Sequence, residues 1–237
     1  MHNRIYFASD LHLFARHSQA ARYAAVIGRA AAQARVFVLG GDIFDFRWST
    51  LESTGATVAA AIDWLSRLAA EHPRCHFHYL LGNHDYNRGL MAALAELELA
   101  AANFSWHLYY LRMGSSVFLH GDVADRFMTA ERLTKTRSRW LHARRPGRLR
   151  RHVYDLVLRA GLHRPVPLLV HRKRRVAKRI LAYLEDIREG PKNGVRNIYF
   201  GHTHRRVCGY RYGGLAFHNG GAPIRGMGFH LVEVVLS

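Results

Sequence analysis

A layered α/β fold is expected from three observations on this 237-residue chain. Over its first hundred residues, short apolar runs ending in glycine alternate with longer stretches of helical period. Hydrophobic residues make up 49% of the chain, enough for one sizeable core. No internal repeat or low-complexity linker divides it, so a single domain spanning residues 1–237 is expected.

The first strand is read at Ile5-Tyr6-Phe7-Ala8-Ser9, followed by an Ala-rich helix over residues 18–34. Val36-Phe37-Val38-Leu39, closed by Gly40-Gly41, has the continuous apolar character of a strand covered on both faces. A second helical stretch over residues 57–71 and a third strand over 75–81, ending at Gly82, complete a β-α-β-α-β order. That order favours a parallel sheet with helical crossovers. A short helix near residues 90–97 and strands at 108–111 and 117–119 come next. Residues 124–187 turn helical and basic, with breaks at Pro146-Gly147 and Pro165-Val166-Pro167. Strand character returns at Ile198-Tyr199-Phe200. Residues 207–212, 215–218 and 229–236 then read as a terminal β-meander, with Gly213-Gly214 as its tight turn.

Charge is the compositional anomaly. Lys+Arg number 35 against 17 Asp+Glu, a formal net charge of +18. Nineteen of the cations and only four of the acids fall between Arg126 and Arg188, so a near-neutral body carries one strongly basic insert, placed at residues 124–188. An anionic partner is therefore expected: nucleic acid, a phosphorylated metabolite or a membrane face. The composition excludes intrinsic disorder. Two cysteines, Cys75 and Cys208, are too few for a disulfide framework and match no zinc-ribbon spacing, which suits a reducing compartment. Residues 1–4 run straight into the first strand, so no secretory leader is expected, and no uncharged apolar run is long enough for a spanning helix.

The chemistry is concentrated where strands end. In order, these turns read Asp10-Leu11-His12, Gly41-Asp42-Ile43-Phe44-Asp45, Gly82-Asn83-His84-Asp85, His120-Gly121-Asp122 and Gly201-His202-Thr203-His204. Ligand sites of open α/β sheets collect at the carboxyl ends of strands, so five such turns can converge. A lone Asp-x-His recurs by chance, but the whole ordered set, each member after a strand, does not. Donors of Asp, His and Asn without cysteine favour Mn²⁺, Fe²⁺ or Zn²⁺ held without thiolate. Seven ligands exceed the needs of one tetrahedral ion, whereas two ions sharing a bridging carboxylate use them all. Such a pair suits in-line hydrolysis at phosphorus.

At these residues the chain resembles the calcineurin-like metallophosphoesterase superfamily, whose motif pattern is complete from Asp10 to His204. The resemblance implies two mixed β-sheets sandwiched between helices. It also implies that Asp10, His12 and His204 hold one divalent ion, that Asn83, His120 and His202 hold the other, and that Asp42 bridges them. His84 would contact the phosphate and protonate the leaving group, with Asp85 or Asp45 orienting it.

Within that superfamily, a helical insert before the Gly-His-x-His turn is similar to the UDP-2,3-diacylglucosamine diphosphatases, which release UMP and a lipid phosphate in lipid A biosynthesis. Departures from that family are His84, where many members carry Arg, and Asp45, where many carry Glu. The expected metal is Mn²⁺, with Fe²⁺ or Zn²⁺ as alternatives, and the resemblance implies a lipid-linked nucleotide as substrate and a cytoplasmic protein peripheral on the inner membrane surface. Aliphatic residues interleaved with the cations of residues 124–188 favour an anionic membrane. The alternative is a general phosphodiesterase or nuclease whose insert holds nucleic acid. Arg47, Arg126 and Arg132 are candidate substrate-binding residues. His17 and Trp48 are further candidates for the pocket. Asp122 reads as a turn or capping carboxylate.

Overall fold

The structure, a computed structural model, describes residues 4–142, 145–161 and 170–235. Two five-stranded sheets pack face to face. Sheet one contains β1 (Arg4–Ala8), β2 (Ala34–Gly40), β3 (His76–Leu80) and β4 (Phe104–His107) as parallel neighbours. Between them run α1 (Ala24–Gln33), α2 (Thr54–Glu71) and α3 (Arg88–Ala100). Sheet two has the order β5 (Tyr110–Met113), β6 (Ser116–Leu119), β7 (Asn197–Phe200), β9 (Leu215–Asn219), β8 (Val207–Tyr212). Its β6, β7 and β9 are parallel, and both of its edges are antiparallel.

The layering follows from period-2 alternation. On β1, Ile5 and Phe7 face the other sheet, where they meet Phe118 of β6 and Tyr199 of β7. Tyr6 and Ala8 face away, into the core shared with α1 to α3. Burying a side chain such as Phe7 stabilises the fold by about 1.5–3 kcal/mol, and Phe7 is fully buried. The outer face of sheet two, with Val117, Ile198 and Phe217, is covered by Val176, Ile180 and Leu184 of α6 (Lys173–Asp186). The result is helices, sheet, sheet, helices.

Between β6 and β7 lie α4 (Ala130–Ser138), α5 (Arg148–Arg159) and α6. The expected break at Pro165-Val166-Pro167 lies outside the described residues. Side-chain caps start three of the helices: Ser53 accepts from Ala56 N on α2, Asn87 from Leu90 N on α3, and Thr129 from Arg132 N on α4.

Two elements differ from the sequence reading. The expected meander is a hairpin only, β8 and β9, with Gly213 and Gly214 both at positive φ in its turn. The third segment shrinks to β10 (Val232–Glu233) and crosses to pair antiparallel with β1. There Val232 and Val234 pack beside Ile5 and Phe7 between the sheets. The edge strand β4 was also absent from the sequence reading, since its Phe-Ser-Trp-His run carries little aliphatic signal.

Candidate metal centre

The five polar turns converge at the carboxyl ends of strands from both sheets. The backbone there is bent hard: Asp10, His12, Asp42, His202 and His204 all have positive φ, between 47° and 64°. Such conformations cost about 1–3 kcal/mol each in a non-glycine residue and persist only where surrounding contacts impose them. Those contacts are visible. Asp10 accepts from His202 N at 2.8 and 3.0 Å, and Asp42 Oδ1 accepts from His84 N at 2.7 Å. Asp85 accepts from Gly82 N at 2.6 Å, Ile43 N at 3.0 Å and the Tyr79 hydroxyl at 2.6 Å. Gly82 is required by close approach, because a Cβ there would collide with the Asp42 carboxylate.

The side chains of the expected ligands sort into two clusters, and a further group of His12, Asp45 and His84 also has ligand spacing. In the first, Nε2 of His12 and Nε2 of His204 stand 3.1 Å apart, with Asp10 Oδ1 3.5 Å from the latter. In the second, Asn83 Oδ1 lies 3.1 Å from His120 Nε2 and 3.0 Å from His202 Nδ1. Asp42 Oδ2 completes that group, 3.3 Å from His120 Nε2. Donor atoms about 3 Å apart match the ligand–ligand spacing of one ion bound at roughly 2.0–2.2 Å. The donor set therefore fits divalent ions.

Hydrogen bonds set the tautomers this requires. His120 Nδ1 lies 3.2 Å from Gly40 O, so it carries the proton and leaves Nε2 free. His202 Nε2 lies 2.8 Å from Asp125 Oδ1, leaving Nδ1 turned toward Asn83. Asp45 Oδ2 sits 3.3 Å from His12 Nδ1 and 3.2 Å from His84 Nδ1. Neither contact is aligned as a hydrogen bond, so three buried polar atoms face one another unsatisfied.

The electrostatics are those of a site that expects cations. Burial pushes the Asp10 carboxyl up, and Asp42 adds to the rise against the pull of His120. Burial also acts on Asp42, but His120 and His84 hold it well below the usual carboxylate range. Burial and the neighbouring His12 and His202 drive His204 well below the ordinary imidazole value. For His120, burial is outweighed by Asp42 and Asp10, and the imidazole rises to about 10. His84 rises to about 9, with burial outweighed by Asp45 and Asp42. Protons on such groups are what a bound ion would replace.

The structure brings Asp10, His12, Asp42, Asn83, His84, His120, His202 and His204 together. Asp85 is fully buried, and its carboxylate is spent on the loop backbone and Tyr79, which makes it a positioning group; burial and Asp42 raise it to about 6. Arg47 lines a cavity of about 390 Å³ with Asn83, His84, Tyr86 and Trp140. Trp48 stacks on Tyr154, and His17 packs edge-on against the same tyrosine and near His12. Arg126 and Arg132 are exposed. Asp122 is no cap: it pairs with Arg137 in a buried ion pair. Asp125, Arg137 and Trp140 were missed by sequence reasoning because their contacts with the site region are long-range and follow no local spacing.

A search of curated proteins finds no significant match. The family model described as calcineurin-like phosphoesterase matches residues 3–206. That match covers every ligand-bearing turn, and with the two donor clusters it establishes that the chain belongs to the calcineurin-like phosphoesterase family and is a metal-dependent phosphoester hydrolase.

Proposed function

We propose that this hydrolase cleaves the pyrophosphate of UDP-2,3-diacylglucosamine at an anionic membrane surface, releasing UMP and a lipid phosphate, with two Mn²⁺ ions as cofactor. The observation that carries this reading is helix α5. Leu149, Val153 and Leu156, at i, i+4 and i+7, share one face, and each is more than half exposed. The same helix places Tyr154 against Trp48 at a ring-centroid distance of 4.1 Å, beside the metal centre. An apolar stripe on a basic helix suits the boundary of an anionic bilayer. No helix among the described residues is long and apolar enough to cross a membrane.

Divalent ions, when bound, polarise phosphoryl oxygens and lower the pKa of water. The chain's own residues do the rest. His84, with Nδ1 3.2 Å from Asp45 Oδ2, would deliver a proton to the departing oxygen, while Asp85 and Tyr79 hold the turn that carries it. Arg47 offers its guanidinium to substrate oxygens from the adjoining cavity.

Mn²⁺-dependent release of UMP from UDP-2,3-diacylglucosamine in anionic vesicles is the test. Replacing Leu149, Val153 and Leu156 together by Ser should lower that rate while sparing soluble bis-p-nitrophenyl phosphate. No UMP release from a preparation active on the soluble diester would overturn the lipid assignment. Cleavage of oligonucleotides with steep salt dependence would favour the nuclease alternative instead.

A further inference from the structure

One of the two rings packed against His84 comes from the insert. Rotation of an imidazole about its outer torsion is soft and broad, so a catalytic histidine needs either an aligned hydrogen bond or lateral packing to hold one orientation. His84 Nδ1 has no aligned hydrogen bond to Asp45. Its ring is instead gripped by two others. His12 meets it edge-on, with centroids 4.9 Å apart at 87°, and Trp140 lies across it at 5.0 Å and 40°.

Trp140 is itself held independently of His84. It sits in a short 3-10 turn just after α4. On one side of it, Arg137 is locked to Asp122 by two hydrogen bonds of 2.8 Å. The Arg145 guanidinium donates to Leu51 O, Ser53 O and Thr57 Oγ1 at 2.7, 2.8 and 2.8 Å, which ties Arg145 to the start of α2. The Arg47 guanidinium lies 5.5 Å from the Trp140 ring and backs it from the cavity. The indole, itself packed against the core shared with α1 to α3, forms a wall against which the imidazole rests.

The geometry points to Trp140 as a positioning residue for His84: the insert, beyond any role in binding substrate, sets the orientation of the group that protonates the leaving oxygen. This rests on the reading of His84 as that proton donor, and it is independent of the lipid assignment. Protonation matters most for a poor leaving group, so loss of alignment has a signature that general structural damage lacks.

The experiment uses the Mn²⁺-loaded full chain with two soluble diesters. Trp140→Ala is expected to lower kcat on diphenyl phosphate about tenfold with little change in KM, and to lower it less than about twofold on bis-p-nitrophenyl phosphate. Trp140→Phe should restore most of the loss. The double variant His84→Ala/Trp140→Ala should be no slower than His84→Ala alone, because two residues acting through one group are not additive. If Trp140→Ala does not fold, Trp140→Leu, which keeps apolar volume without a ring, carries the same expectations. Equal losses on both diesters, or losses that multiply in the double variant, would overturn the inference. A His84→Ala enzyme with no selective loss on diphenyl phosphate would overturn the reading of His84, and the inference with it.

Discussion

Arg137 of α4 grips Asp122, two residues beyond His120 of the second donor cluster, through paired hydrogen bonds of 2.8 Å in which both groups are buried. Its remaining nitrogen donates to Leu108 O at 2.7 Å. Burial alone would raise the Asp122 carboxyl, but the guanidinium wins and holds it at about 2. One side chain thus ties the basic insert, the turn after His120 and the approach to β5 into a single body.

Removing one partner of a buried pair leaves the other charged and unpaired. Arg137→Ala should destabilise the protein by about 3–5 kcal/mol, and Arg137→Lys should fail to rescue it because an ammonium lacks the two-pronged geometry. Replacing both Arg137 and Asp122 by apolar residues of similar volume should cost less than either single change. Urea denaturation followed by circular dichroism measures all of these. A single variant as stable as the parent would show the pair to be dispensable.

Asp125 reaches His202 Nε2 at 2.8 Å and thereby commits Nδ1 to the second donor cluster. Loss of such an orienting carboxylate typically costs 10- to 100-fold in metal affinity or activity. Asp125→Asn should fall in that range, and it should lose the second equivalent of bound Mn²⁺ first when titrated by calorimetry. Two equivalents bound with unchanged affinity would remove Asp125 from the site.

Chelation should abolish hydrolysis of bis-p-nitrophenyl phosphate, and a divalent ion should restore it. Asp42→Ala and His120→Ala should not recover, since each removes a donor from the second cluster. Activity that persists in a chelated protein shown by elemental analysis to be metal-free would contradict the assignment of both clusters.

The convergence of the polar turns was legible because their information is local. Each is an i, i+2 pair or a glycine-bounded turn at the end of an apolar run, and the strained backbone that aims Asp10, His12, His202 and His204 is built from those same few residues. What orients the donor side chains was not legible. Asp125, Arg137 and Trp140 reach the centre or its surroundings through packing of the insert, at separations from their partners that carry no periodic signal. The β10 segment shows the same limit: its alternating Val232 and Val234 fit a strand in either sheet, and only the space beside Ile5 and Phe7 decides which.

A histidine cluster away from the donor clusters should contribute to the acid response. His76 and His78 on β3 and His107 on β4 face the inter-sheet side, and His78 Nδ1 lies 3.1 Å from His107 Nε2. Burial, then the neighbouring His76 and His107, lower His78 to about 4, with Glu98 as the nearby acid that favours charge on His76 and His107. The folded state then binds fewer protons than the unfolded one between pH 6.5 and 4. Stability is present in full above about pH 6.5 and is lost as pH falls toward 4. His78→Gln should flatten the dependence of the urea midpoint on pH in that window; an unchanged slope would assign the acid response to other groups.

The two thiols should differ sharply in reactivity. Cys75 is buried, and burial pushes its thiol up to about 12, whereas Cys208 on β8 is exposed. The thiolate is the reactive form, so at pH 8 the folded protein should take up one iodoacetamide per chain, at Cys208. Cys75 should react only after denaturation, as followed by mass spectrometry of the digested protein. Prompt labelling of Cys75 in the native state would mean that the segment between α2 and β3 opens far more readily than its packing implies.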